Sequence, residues 1–68
     1  MELKELIIID SEILGGQTVF KGTRVPVETL FDFLEVGYSL DEFLEEFPTV
    51  SKNQVIGLLD LANKFFST

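Results

Sequence analysis

The sequence predicts a mostly α-helical protein, in which a short N-terminal β-hairpin precedes a trihelical, helix-turn-helix-like bundle. Two observations predict this order. The apolar residues follow the two-residue period of strands before Pro26 and the 3.6-residue period of helices after it. Two capping boxes, each a serine followed three residues later by Glu or Gln, then mark two helix starts. We expect a single domain over residues 1–68, with a hairpin arm over 1–26 and a three-helix bundle over 27–68.

The N-terminal region carries the strand signals. Residues 6–9 form a β-branched apolar run that is typical of a buried strand. A tight hairpin is expected between residues 18–20 and 23–25, and its turn residues are Gly22, which can take a positive φ, and Thr23. Pro26 cannot donate a hydrogen bond to a neighbouring strand, so it is expected to end the second strand of this hairpin.

The first predicted helix has one apolar face and one charged face. Its apolar face consists of Val27, Leu30, Phe31 and Leu34, and Gly37 is expected to terminate it. Phe33 shares this helix with the outward acids, so we expect it to be partly exposed and to serve as an anchor in a protein interface.

The second and third helices are predicted from their caps. Ser39 and Glu42 form the capping box of the second helix, and Pro48 ends it. Ser51 and Gln54 form the capping box of the third helix. The residues expected to face inward from these two helices are Leu40, Phe43, Leu44, Phe47, Val55, Leu58, Leu59, Ala62, Phe65 and Phe66. Ile56 and Leu61 lie off this stripe, so the third helix is either well buried or the interface for a second chain.

Length and composition exclude many functions. The 68 residues are 46% hydrophobic, which suffices for one small core and not for a cofactor cavity as well. The sequence has no Cys and no His, which excludes disulfides, thiolate or imidazole metal sites, and Cys/His or Ser/His catalysis. The carboxylates of the second helix are expected to be a solvated surface, not a metal site. We therefore expect no enzymatic activity, no cofactor and no metal.

The hydropathy of the chain predicts association rather than membrane insertion. The longest purely apolar run is far shorter than the 18 or so residues of a spanning helix, and no basic segment of a signal peptide precedes it, so a cytoplasmic protein is expected. A mean hydropathy of +0.29 is high for so small a chain. Because small cores rarely suffice without further stabilisation, we expect a homodimer or a complex.

Negative charge is concentrated in one segment. The formal net charge is -7, and residues 25–51 contain no Lys or Arg. The acids of this segment, which we call the acidic block, are Glu28, Asp32, Glu35, Asp41, Glu42, Glu45 and Glu46. Such a block either keeps an apolar protein in solution or attracts a basic partner, and it repels nucleic-acid phosphates.

Residues 16–27, with the sequence GQTVFKGTRVPV, begin a pattern that runs through most of the chain. The pattern continues with Leu30, Leu34, Gly37-Tyr38-Ser39, Glu42, Phe47-Pro48 and Val55. It resembles the small prokaryotic family called domain of unknown function 433, over about residues 8–62. Thr18 stands where the family usually has Pro, and Leu61 stands where an aromatic residue is common. The resemblance implies a short hairpin with a helix-turn-helix-like bundle, and an antitoxin similar to the VapB class that pairs with a PIN-like ribonuclease toxin.

A mechanism of inhibition follows from this implied partner. A PIN-like nuclease needs an acidic metal cluster to cut RNA and basic surroundings to hold it. The acidic block would occupy the basic surroundings, and Arg24 would present a guanidinium to the carboxylates. The alternative for Arg24 is an ion pair with its own acidic helices. The candidate partner-binding residues are Arg24, Glu28, Asp32, Phe33, Glu35, Leu61, Phe65 and Phe66.

The alternative function is that of a helix-turn-helix transcriptional regulator. In such proteins the N-terminal part of the second motif helix enters the major groove of DNA, which here would present Lys52, Asn53 and Gln54 to the bases. The chain lacks the basic patch that usually accompanies this mode of binding. DNA binding is therefore expected only in complex with a basic partner.

Overall fold

The computed structural model of the protein describes residues 2–9, 12 and 15–67. Over these residues the chain forms two antiparallel strands and then three α-helices, which confirms the predicted fold class. A turn of 3-10 helix spans Leu3–Glu5, the strands are β1 (Ile7–Ile9) and β2 (Thr18–Phe20), and the helices are α1 (Val27–Glu35), α2 (Leu40–Glu46) and α3 (Lys52–Phe66).

The strand pairing differs from the predicted tight hairpin. β2 pairs with β1, in the register Ile7 with Phe20 and Ile9 with Thr18, and not with residues 23–25. The chain turns back along β2 after Gly22, but this return forms no strand: it consists of a hydrogen bond from the Phe20 N–H to the Val25 carbonyl and an isolated bridge between Val19 and Pro26. The segment after the turn is too short to form a second strand, because Pro26 lacks an N–H donor and α1 begins at the next residue.

The first strand was also expected to be buried, and this prediction is wrong. Ile7 is half-buried, whereas Ile8 and Ile9 are exposed. The buried residue of the run is Leu6, which precedes β1. β2 is the better buried strand, since Val19 and Phe20 have no exposed surface. Thus β1 forms the outer strand and β2 lies between it and the helices.

The helix boundaries agree with the sequence signals. Ser39 Oγ accepts the Glu42 N–H, and Ser51 Oγ accepts the Gln54 N–H, so both capping boxes are formed. Gly37 follows the end of α1 with a φ of 97°. Phe47 ends α2 immediately before Pro48, which cannot continue a helix.

The core lies where β2 and the three helices meet. Its buried members are Phe20, Leu30, Phe43, Val50, Val55 and Leu58. The ring of Phe43 lies 6.2 Å from that of Phe20 and 5.1 Å from that of Phe47, measured between centroids. The core therefore joins the strand region to the helices through aromatic contacts.

The predictions for the two phenylalanines of α1 have different outcomes: Phe33 is partly exposed, as expected, whereas Phe31 is not buried. Phe33 packs partly buried against the core, with its ring 5.6 Å from those of Phe43 and Phe47. Phe31, which was expected to face inward, is 40% exposed. A period of 3.6 residues allows either phenylalanine beside the Val27–Leu30–Leu34 stripe, and the position of α2 selects Phe33.

The C-terminal end of α3 also departs from the prediction. Phe65 and Phe66 were expected to face inward, and they are 79% and 82% exposed. Their rings contact each other at 5.1 Å in an edge-to-face arrangement. Because α3 has 15 residues and its buried positions are Val55 and Leu58, the helix extends beyond the core that its first half covers.

Candidate functional site

The turn after β2 presents Arg24. Gly22 has a φ of 81°, in the region that favours glycine. Thr23 stabilises the turn with two hydrogen bonds: its hydroxyl donates to the Phe20 carbonyl at 2.8 Å and accepts the Val25 N–H at 3.0 Å. The backbone on both sides of Arg24 is thus fixed, and its exposed side chain stands on a braced turn.

Arg24 forms no ion pair with any carboxylate of the described residues. The alternative prediction, an ion pair between Arg24 and the acidic helices of its own chain, is therefore wrong for those residues. The ion pairs in this part of the chain are Lys4 with Glu2, at 3.4 Å, and Lys64 with Asp60, at 3.3 Å. The charge of Arg24 is therefore available to another molecule.

A shallow groove surrounds Arg24. Its lining includes the aliphatic parts of Ile8 and Val25, the ring of Phe47, and a second basic residue, Lys21. Lys21 likewise makes no ion pair with a described carboxylate. A guanidinium beside apolar surface is less well hydrated than one in open water, and this strengthens its hydrogen bonds to a carboxylate.

Gln54 fixes the groove relative to α3. Its side-chain NH₂ donates to the Lys21 carbonyl at 2.8 Å and, more weakly, to the Leu6 carbonyl at 3.4 Å. Its Oε1 meanwhile accepts the Ser51 N–H at 2.9 Å. One side chain thus caps α3 and ties it to the turn that carries Lys21 and Arg24. Lys52, two residues before Gln54, is exposed at the same end of α3.

The acidic block lies on α1, α2 and nowhere else. All seven of its carboxylate residues are exposed. Three of them, Glu42, Glu45 and Glu46, line a shallow groove with the rings of Phe33 and Tyr38. Among the residues that the structure describes, no group of three or more acids converges as metal ligands would. The helices therefore present a dispersed negative surface, while the unpaired cations lie at the turn and the start of α3.

The largest exposed apolar side chains lie at the end of α3. Leu61, Phe65 and Phe66 line a groove with Leu3, Leu58 and Ala62, and this lining is almost wholly apolar. We call this the α3 groove. None of the described helices has the length and apolar character to cross a membrane.

Comparison with known proteins places this architecture in a family. The family model described as "Protein of unknown function (DUF433)" matches residues 7–62. The chain belongs to the DUF433 family. It is also similar to the uncharacterized protein y4eO of Sinorhizobium fredii (strain NBRC 101917 / NGR234), with 33% identity over 52 residues. That match covers 76% of this chain and 24% of the relative, so the chain spans about a quarter of that protein's length. No solved structure matches the chain.

The DUF433 match contains some of the predicted site residues and not others. It includes Arg24, the acidic block and Leu61, and it ends before Phe65 and Phe66. The structure brings Arg24 together with Lys21, which the sequence did not single out. The signal for Lys21 was its position in the turn, three residues before Arg24 and with the same charge.

Two other predicted site residues, Phe33 and Gln54, make contacts within the chain. The ring of Phe33 lies 5.1 Å from the half-exposed ring of Tyr38, so Tyr38 is the more exposed aromatic residue there. The amide of Gln54 is engaged at both ends, whereas Lys52 and Asn53 are exposed.

Proposed function

We propose that the protein is the antitoxin of a type II toxin–antitoxin pair and that it neutralises a PIN-like ribonuclease by direct binding. The observation that carries the proposal is the position of Arg24 and its lack of an ion pair. It lies on a braced turn, in a groove with apolar walls, and is unpaired among the described residues of a chain that has 12 acids.

Arg24 supplies the contact with the catalytic centre. Metal-dependent nucleases gather carboxylates at the site of cleavage. A guanidinium binds a carboxylate through two parallel hydrogen bonds, and a short, fixed turn can carry it into a concave site. Because Thr23 already holds the turn, little conformational entropy is lost when Arg24 binds.

The acidic block supplies the second contact. A ribonuclease carries basic side chains that bind RNA phosphates, and exposed carboxylates on α1 and α2 offer the same charge as that backbone. Glu28, Asp32 and Glu35 lie on α1, which begins three residues after Arg24. One molecule can therefore occupy both the carboxylates and the cations of the nuclease. Leu61, Phe65 and Phe66 add apolar surface for the toxin to cover.

The test is inhibition of RNA cleavage by a purified PIN-like ribonuclease from the same genome. The wild-type chain inhibits cleavage in a titration, and Arg24→Ala raises the inhibition constant by more than about tenfold, which corresponds to about 1.4 kcal/mol. Lys4→Ala is the matched control, because it removes one positive charge that is exposed and already paired with Glu2. Equal inhibition by wild type and Arg24→Ala would contradict the role of Arg24.

A second candidate function is DNA binding through the start of α3. It is supported by the exposure of Lys52 and Asn53 at the start of α3, which Gln54 ties to the turn that carries the unpaired Lys21. Gln54 has no part in it, since its amide is engaged within the chain. Fluorescence anisotropy with DNA from the chain's own operon, at about 0.15 M salt, tests this function. Binding that is lost in Lys52→Glu and Asn53→Ala supports it, and the absence of binding by the chain and by its complex refutes it.

A further inference from the structure

Among the described residues, none pairs with the outer edge of β1, the edge that faces away from β2. The Phe20 N–H donates to the Val25 carbonyl, on the side of β2 that faces away from β1. Ile7 and Phe20 are therefore a non-hydrogen-bonded pair, and Ile8 and Val19 exchange the backbone hydrogen bonds between the strands. It follows that the N–H and C=O groups of Ile7 and Ile9 point away from β2. No described residue forms a third strand with them.

We propose that the protein forms a symmetric homodimer in which β1 pairs antiparallel with β1 of a second copy. This proposal does not rest on the proposed inhibition of a ribonuclease, since it is argued from the backbone of β1 and not from Arg24. An open strand edge is a template for pairing with another chain, and proteins that remain monomeric usually block it with charged residues, proline or a bulge. β1 consists of three isoleucines and has none of these.

The geometry of β1 selects one register. In this register a two-fold axis lies midway between Ile8 of one copy and Ile8 of the other. Ile7 of each copy is then opposite Ile9 of the other. Both of these pairs use the outward-pointing groups, so four hydrogen bonds form between the copies. An axis through Ile7 or Ile9 would form only two such bonds between residues of β1. The strand is thus self-complementary, as an isologous interface requires.

The side chains gain from the same register. Ile8 meets Ile8 of the second copy in a non-hydrogen-bonded pair, where side chains approach most closely. On the other face of the sheet, the 70%-exposed Ile9 lies beside Ile7 of the second copy, which packs against the core. Pairing therefore covers the two exposed isoleucines of β1 as well as the backbone groups.

Charge also favours this edge for a second copy. Two chains of net charge -7 repel each other, and the exposed acids of α1 and α2 make those helices the least favourable surfaces for contact. β1 carries no charge, and the groove beside Ile8 contains Lys21 and Arg24. A rotation about an axis normal to the sheet keeps both Arg24 grooves on the same face, so the dimer would present two Arg24 side chains together.

The experiment is sedimentation velocity on the full chain from about 1 µM to about 1 mM. Wild type sediments as a dimer at the upper end of this range, and Ile9→Lys raises the dissociation constant by about tenfold or more. Val36→Lys is the matched control, because Val36 is an equally exposed aliphatic residue, 74% against 70%, and lies at the end of α1. This control leaves the dissociation constant unchanged.

A second variant tests the backbone directly. Ile9→Pro removes one outward N–H and leaves the Ile8–Val19 hydrogen bonds in place. It too dissociates the dimer, while circular dichroism shows the wild-type fold. A chain that is monomeric throughout the range would overturn the proposal. So would a dimer that persists in both Ile9 variants, or one that Val36→Lys disrupts equally.

Discussion

The two capping boxes of the protein have the same local geometry, but only the box of α3 also makes hydrogen bonds to a distant part of the chain. In each, the serine N–H donates to the partner side chain at 2.9 Å and the serine hydroxyl accepts a backbone N–H at 3.1 Å. Among the described residues, Glu42 forms no hydrogen bond or ion pair beyond the start of α2. Gln54 continues from the start of α3 to the carbonyls of Lys21 and Leu6, which are 33 and 48 residues away in sequence.

The difference comes from the chemistry of the two side chains. A carboxylate only accepts hydrogen bonds, and a capping box needs only an acceptor from this side chain. An amide has an acceptor and two donors, so Gln54 can serve the helix with one end and the hairpin region with the other. A local motif thus becomes a long-range connection through the choice of Gln over Glu.

The largest effect on stability is expected for Gln54→Ala. It removes the capping hydrogen bond and the 2.8 Å bond to the Lys21 carbonyl, and we expect the free energy of unfolding to fall by about 2 kcal/mol. Urea denaturation measures it, from the midpoint at constant slope. A loss no larger than that of the corresponding Glu42 variant would show that the link to the turn adds nothing.

A smaller effect is expected for Gln54→Glu, which keeps the capping acceptor and replaces the donor with a carboxylate. The new carboxylate faces the Lys21 carbonyl, so the hydrogen bond becomes a repulsion, and we expect a loss of about 1 kcal/mol at pH 7. The same urea measurement at pH 3, compared with wild type at that pH, should show a smaller difference, because the protonated group can donate again. An equal difference at both pH values would contradict this account.

The smallest effects on the free energy of unfolding are expected at the capping box of α2, formed by Ser39 and Glu42. Glu42→Ala should lower the free energy of unfolding by about 0.5 kcal/mol, because it removes one exposed capping bond. Glu42→Gln retains that bond and should lie within about 0.5 kcal/mol of wild type. Urea denaturation of both variants gives the baseline for the Gln54 pair. A Glu42→Gln loss as large as that of Gln54→Ala would remove the contrast between the boxes.

The same contrast shows how far the sequence could predict the fold. Both capping boxes and the end of α2 at Pro48 could be predicted, because each depends on residues within one helical turn. The partner of β2 could not, since β1 lies 11 residues earlier and a nearer segment had similar strand signals. The choice between Phe31 and Phe33 depends on where α2 packs, and the periodicity of α1 does not contain this information.

The candidate site follows the same rule. The turn at Gly22 and Thr23 was predicted from local chemistry, and the structure shows a glycine at positive φ and a threonine bonded on both sides. The surroundings of Arg24 depend on tertiary packing: Ile8 and Phe47, which line its groove, come from two other parts of the chain. Whether Arg24 pairs within the chain was likewise a question of three-dimensional distance.

The most direct test of the central claim is a double-mutant cycle between Arg24 and a metal-binding aspartate of the PIN-like ribonuclease. Calorimetric titration measures binding of wild type and Arg24→Ala to the intact nuclease and to its Asp→Asn variant, so loss of cleavage activity does not matter. If Arg24 contacts the catalytic carboxylates, the two changes are coupled by more than about 1 kcal/mol. Additive effects, or binding that is unaffected by Arg24→Ala, would contradict the account.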